Sequence, residues 1–309
     1  MMRTLTRLEE LAGEARPVVF AAGAFDGVHC GHQAVLARAR ELAIAVGGQA
    51  WVLTFDPHPL KVLRPDRAPA LLTSTPHRLQ LLRAQGVDGV ALLPFSEEFS
   101  AQEPEAFIEH VRAAVPSLHA FVVGANWTFG RRARGTVELL RTLGAERRFR
   151  VEVMPGVEWG GRLVSSTRIR QAVAAGDLES ASAMLGRPFS IYGTVVHGTK
   201  LGRTLGYPTA NVDPHNEVRP PPGIYACRAL VEDRVYAAAA FLTAHPDLRK
   251  GPADVVEVHL LDASLDLYDQ DIDVQFVRKL RDEWTFDSLD ALKAQIARDL
   301  EDTRRALGA

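Results

Sequence analysis

The chain has 309 residues, enough for two ordinary domains that each bury a core, and a formal net charge of -2, so no global basic field draws it to nucleic acid. Its two cysteines, Cys30 and Cys227, lie far apart, which excludes a disulfide scaffold or a Cys-rich metal site and fits a reducing cytoplasm. The charged N-terminus has no signal-peptide core, and no window approaches the roughly 18 uninterrupted apolar residues of a membrane span, so a cytoplasmic chain without membrane contact is expected.

The first half alternates strand and helix signals. Apolar runs at Val18–Ala22, Trp51–Phe55, Val90–Leu93 and Phe121–Val123 are separated by helical stretches such as His77–Gln85 and Pro104–Val115. That rhythm predicts a parallel sheet with helices on both faces, and a helical segment from about Thr167 to Leu185 closes it. After Gly186-Arg187-Pro188 the character changes. Short β-rich runs at Phe189–Val196, Ile224–Leu230, Val235–Leu242, Val255–Leu261 and Ile272–Val277, with turns of Gly, Pro and Asp between them, predict a small antiparallel sheet or barrel. A last helix is expected from about Ser288, with Leu289, Leu292, Ile296, Leu300 and Leu307 on one stripe. The expected domains are therefore 1–186 and 187–309, an α/β fold followed by a small β-barrel with a terminal helix.

The most informative segment is Gly23-Ala24-Phe25-Asp26-Gly27-Val28-His29-Cys30-Gly31-His32, between the first apolar run and a helical pattern. Unpaired N–H groups of a helix start and the helix dipole both favour an anion, and Gly23, Gly27 and Gly31 let the backbone approach a phosphate. His29 and His32, three apart, share one face of the first turn. The segment reads as a nucleotide phosphate site, and Cys30 within it reads as a small space-filler.

Three further segments of the first half carry chemistry. Thr54-Phe55-Asp56-Pro57-His58-Pro59 leaves its strand extended and could wall a pocket. Asn126 offers amide hydrogen bonds, while Trp127 and Phe129 fit either ring stacking or core filling. Ser165, Ser166 and Thr167 precede Arg168 and Arg170 at a helix start. Capping explains one hydroxyl, and two arginines opposing the dipole need another partner, for which a polyphosphate is suited.

In the second half, Gly198, Lys200, Gly202, Arg203 and Gly206 form a glycine-rich basic loop suited to phosphate. Thr209 and Asn211, two apart on an extended segment, face the same side and are hard oxygen donors of the kind Mg²⁺ accepts alongside phosphates and waters. Glu257 lies in an apolar strand, where an isolated buried carboxylate is costly, so a site role is expected; His259 is a weaker candidate.

Together these segments, from about Arg16 to Arg305, resemble the prokaryotic bifunctional riboflavin kinase/FAD synthetase family. Residues 23–32 are similar to its nucleotidyltransferase motif, with Gly23, Phe25, Asp26, Gly27 and Gly31 as nucleotide-binding positions. Residues 126–130 and 165–170 are similar to its later adenylyltransferase motifs. Gly202-Arg203 followed by Gly206 and Pro208–Asn211 resembles its riboflavin kinase signature, and Arg281, Glu283 and Phe286 resemble its closing segment near the flavin. The resemblance implies a Rossmann-like FMN adenylyltransferase domain and a riboflavin kinase barrel, with ATP, riboflavin, FMN, FAD and Mg²⁺ as ligands. It implies that His29, His32 and Arg168 assist adenylyl transfer and that Glu257 takes the riboflavin hydroxyl proton. A monomer or weak homo-oligomer is expected.

The chain departs from the family pattern in two turns. Thr243-Ala244-His245-Pro246-Asp247 stands where the family usually has a Gly-x-x-Pro-Thr-like turn, and Leu267-Tyr268-Asp269 where it usually has Leu-Tyr-Gly. Loss of the second glycine is expected to restrict that turn. The alternative reading is an adenylyltransferase with a weakened kinase module, and a more distant one is a non-catalytic flavin or nucleotide sensor.

Overall fold

The computed structural model describes residues 2–198, 202, 206–243 and 255–308. It divides into two compact units, Met1–Ala70 with Thr75–Ser165, and Leu71–Ser74 with Ser166–Ala309.

The first unit is a sheet of six strands: β1 Arg3–Leu5, β2 Val18–Ala22, β3 Gln49–Asp56, β4 Gly89–Pro94, β5 Leu118–Gly124 and β6 Arg150–Met154. All pairings are parallel, in the order β1-β4-β3-β2-β5-β6. The helices are α1 Cys30–Ala45, α2 Pro59–Leu63, α3 Thr75–Ala84, α4 Glu97–Ser100, α5 Pro104–Ala114 and α6 Val137–Arg147. The apolar runs are continuous rather than alternating because both sheet faces are covered. Val19, Ala21, Val52 and Val122 meet Leu36, Ala39 and Leu42 of α1 on one face. Phe20, Trp51, Leu53 and Phe121 meet Ile108 and Val111 of α5 and Leu140 of α6 on the other. From β2 the chain builds outward through β3 and β4, then reverses to β5 and β6. The order therefore switches between β2 and β5, and in open sheets of this kind the ligand crevice lies beyond the carboxyl ends of the strands at that point. A short hairpin, β7 Glu158–Trp159 with β8 Arg162–Leu163, ends the unit.

The expected helix at 167–185 is two helices, α7 Ser166–Ala174 and α8 Leu178–Leu185. Gly176 takes φ +78° and the Asp177 carboxylate accepts the Ser180 N–H at 3.0 Å, so one helix stops and a capped one starts. Both belong to the second unit by their contacts, and α8 packs on strands of the barrel.

That barrel is closed and antiparallel: β9 Phe189–Val196, β10 Ala210–Pro214, β11 Gly223–Val231, β12 Arg234–Leu242, β13 Val256–Leu260 and β14 Asp271–Arg281, in the order β10-β13-β12-β11-β14-β9. Alternate residues such as Ile191, Val212, Cys227, Ala240, Val258 and Phe276 fill it. The last helix, α9 Leu289–Leu307, starts where Ser288 accepts the Ala291 N–H at 3.1 Å, and it covers β11, β12 and β14. Its buried side is Asp299, Leu300 and Thr303, whereas Leu289 is exposed, so the stripe read from the sequence holds only in part. Beside the buried Leu300, Arg281 of β14 grips Asp299 with two bonds, Nε to Oδ1 at 2.8 Å and Nη2 to Oδ2 at 2.7 Å, so the helix also buries a paired carboxylate that the apolar pattern does not predict.

Candidate functional site

The turn from β2 into α1 lies at the switch point. Phe25, Gly27 and Val28 have φ of +55°, +82° and +40°, a left-handed run in which Phe and Val are strained. The run brings His29 to the cap of α1, where its Nδ1 accepts the His32 N–H at 3.3 Å. With Nδ1 engaged as acceptor, the neutral ring carries its proton on Nε2, a donor for a ligand oxygen. The His32 ring stacks on His29 at 3.6 Å and 15°, with Phe25 at 5.1 Å. The buried Nδ1 of His32 has no hydrogen-bond partner. Desolvation first, then the His29 charge, hold His32 well below its ordinary 6.5, so it is neutral at pH 7. No acidic residue occupies the first turn of α1, so that turn adds no charge opposing an anion at the helix start. A Cβ at Gly31 would lie 3.1 Å from His29 Cε1, and one at Gly23 would lie 3.3 Å from the Phe25 ring, so both glycines are fitted against the rings. Asp26 is buried within the turn.

Behind this corner stands Arg78 of α3, a residue that no motif singled out. Its guanidinium is buried and donates from Nη1 to the Ala24 carbonyl at 2.9 Å and from Nη2 to the Phe55 carbonyl at 2.8 Å. Thr54 Oγ1 donates to the same Ala24 carbonyl at 3.2 Å. At the end of β5, Asn126 is exposed, Phe129 is in the core, and Trp127 stacks on Phe129 at 4.8 Å while packing against that core. For the two aromatics the core-filling reading is the one the fold adopts.

Ser165 ends the first unit, and Ser166, Thr167, Arg168 and Arg170 stand in the opening turns of α7 in the second. Ile169 between the arginines is buried, which turns its neighbours toward the rim of the helix.

On the barrel, Asn211 of β10 is the direct register partner of Glu257 of β13, so their side chains share a face. Val256, Val258 and Leu260 point into the barrel, and Glu257 and His259 are half-buried on the outer face. Glu257 is thus not the buried carboxylate expected from its apolar neighbours; the strand alternation sends them inward and it outward. A Cβ at Gly198 would lie 2.6 Å from Asn211 Cγ, and one at Gly202 would lie 3.1 Å from Thr209 Oγ1. The two glycine backbones therefore pack closely against the Asn211 and Thr209 side chains. His259 Nδ1 meets the Pro208 carbonyl at 2.7 Å, which occupies it as a support for the Pro208–Asn211 segment. Gly206 has φ +89°; Lys200 and Arg203 lie outside the described residues, as does the altered stretch 244–247.

At the end of β14, Arg281 is committed to Asp299 and sits over the Trp284 ring at 4.6 Å and the Phe286 ring at 5.9 Å. Glu283 Oε1 accepts the Thr243 hydroxyl at 3.1 Å. Asp269 takes φ +61°, so an aspartate occupies the left-handed position that the family's glycine would adopt freely.

The arrangement thus gathers His29, His32, Gly31 and Phe25 in one cluster and Thr209, Asn211, Gly198 and Glu257 in another. The family described as FAD synthetase matches residues 12–168, and the one described as riboflavin kinase matches residues 185–307. A bifunctional riboflavin kinase/FMN adenylyltransferase of Pseudomonas fluorescens is 37% identical over 308 residues, covering 100% of this chain and 98% of that protein. The protein of the same name from Escherichia coli K12 is 38% identical, covering 94% and 93%. A crystal structure described as a macrolide-efflux protein from Streptococcus pneumoniae is similar in fold, with a TM-score of 0.82, 30% identity and 98% coverage of both chains. Among the described residues here no helix is long and apolar enough to cross a membrane. Two matching domains and two full-length relatives agree: this chain belongs to the bifunctional riboflavin kinase/FMN adenylyltransferase family.

Proposed function

We propose that the Gly23–His32 corner transfers AMP from ATP to FMN and that the outer barrel face at Asn211 and Glu257 phosphorylates riboflavin. The observation that carries this division is that two clusters of different chemistry fall in different compact units, a histidine-capped helix start in one and a paired amide and carboxylate in the other. In adenylyl transfer an FMN phosphate oxygen bonds to the ATP α-phosphorus and the bond to the pyrophosphate oxygen breaks. The reaction needs alignment and charge stabilisation rather than a covalent nucleophile. His29 Nε2–H and the positive end of the α1 dipole face the phosphate oxygens there, and neutral His32 holds the His29 ring by stacking.

In the kinase reaction the riboflavin 5′-oxygen bonds to the γ-phosphorus, ADP departs, and the hydroxyl proton goes to the Glu257 carboxylate. Thr209 and Asn211 carry hard oxygen donors, Asn211 as the register partner of Glu257, and Mg²⁺ held there would neutralise phosphate charge. This enzyme would act in the cytoplasm as a monomer or weak homo-oligomer, a setting that suits the free thiols of Cys30 and Cys227. Chromatography of products from riboflavin plus ATP, and separately from FMN plus ATP, tests the division. His29→Ala should stop FAD formation and leave FMN formation, and Glu257→Gln should stop FMN formation and leave FAD formation from supplied FMN. Loss of both activities in one folded variant would sink the two-site reading.

A further inference from the structure

The left-handed run at Phe25–Val28 raises the question of what keeps it in place. The peptide entering it is Ala24–Phe25, and the Ala24 carbonyl oxygen receives two hydrogen bonds from outside the turn, Arg78 Nη1 at 2.9 Å and Thr54 Oγ1 at 3.2 Å. Two donors on one carbonyl oxygen resist rotation of that planar peptide, and with it any change in the φ of Phe25 that follows. The other Arg78 nitrogen holds the Phe55 carbonyl at 2.8 Å, near the end of β3. One planar guanidinium therefore ties together the exits of β2 and β3, adjacent strands at the mouth of the site.

Arg78 is 4% exposed, and a buried charge without a task is costly. Burial pushes its guanidinium down, while Asp56, with a carboxylate oxygen 4.0 Å away, and Asp26 push it up. The consequence reaches the chemistry through contact. Phe25 packs on His32, and His32 stacks on His29.

We infer that Arg78, with Thr54, is a positioning residue for FMN adenylylation: it clamps the Ala24 carbonyl so that the turn presents His29 to the phosphates. The inference rests on the corner being the adenylylation site. Arg78 acts through the turn: it is buried, and each of its terminal nitrogens donates to a backbone carbonyl.

The test uses the full chain and reads both activities. Arg78→Ala should lower kcat for FAD formation from FMN by about a hundredfold, the scale of a misplacement near 1 Å, with KM within about threefold. Arg78→Lys, which can reach one carbonyl but not both, should fall between, and millimolar methylguanidinium should restore part of the Arg78→Ala rate. Thr54→Val, which keeps shape and removes one donor, should lose about fivefold in kcat. FMN formation by the same molecules should stay within about twofold for all three, since the kinase residues belong to the other compact unit. Equal kcat in wild type, Arg78→Lys and Thr54→Val would overturn the inference, as would a loss confined to KM. If Arg78→Ala does not fold, the lysine and valine variants decide it alone. His29→Ala run beside them separates the two claims: retained FAD formation there would remove the corner as the site, whatever Arg78 does.

Discussion

The two proposed sites are positioned by opposite means. At the β2–α1 corner the histidine rings hang on an irregular turn, with three left-handed residues from Phe25 to Val28 held from behind by a buried arginine. On the barrel, Asn211 and Glu257 need no special backbone, because the β10–β13 register alone sets them side by side. A turn can bring backbone N–H groups to a ligand, which suits a site whose work is holding phosphates. A sheet face presents side chains at fixed spacing, which suits a site that must keep a base beside cation ligands. Each device has its own vulnerability: the corner fails when a peptide plane turns, and the barrel face fails when something is inserted between strands and loop.

The largest expected effect breaks the comparison on the barrel side. In Gly198→Ala the new methyl would overlap the Asn211 amide, with Cγ only 2.6 Å away. FMN formation should fall by about a hundredfold while FAD formation from FMN is unchanged, measured by the two chromatographic assays. An unaffected kinase would mean that the Gly198 backbone is not part of the site.

The next concerns the corner and pH. His32 is held well below its ordinary 6.5, so below that value the unfolded chain takes up a proton that the folded chain refuses. The neutral-ring stability is present in full above about 6.5 and is lost as pH falls from there toward the lowered folded value, by at most about 1.4 kcal/mol per pH unit. Urea midpoints at about pH 7.5 and about pH 5.5 should therefore differ more for wild type than for His32→Gln. Equal differences would show that His32 titrates as an exposed ring does.

The smallest sharpens the claim that the barrel side is relaxed. Asp269, at φ +61° in the Leu267–Asp269 turn, is one of its left-handed exceptions, with Glu232 and Asp262. Asp269→Gly should raise stability by about 0.5 kcal/mol, the relief of left-handed strain less the added freedom of the unfolded glycine. A melting experiment with no gain would mean that the aspartate makes compensating contacts.

Much of this was legible in the chain itself because it is local. The spacing Gly23, Gly27, His29, Gly31, His32 already specifies a turn into a capped helix, and Ser288 already marks the start of α9. The apolar runs of β2 to β5 and the shorter strands after residue 188 already separate a parallel sheet from an antiparallel barrel. Composition and motif order were enough for the family. What only the tertiary structure decided depends on partners far apart in sequence. Glu257 could not be placed outside the barrel until the strand register fixed which neighbours point inward. Trp127 and Phe129 could not be separated from a stacking role until Phe107 and Phe121 were seen beside them. The Arg281–Asp299 pair and the Arg78 clamp left no local signal at all, since a lone arginine in a helix has no periodicity or spacing that names its acceptor. Local chemistry sets which turn or helix can form; which carbonyl a buried guanidinium meets is fixed only when the strands that carry those carbonyls have paired.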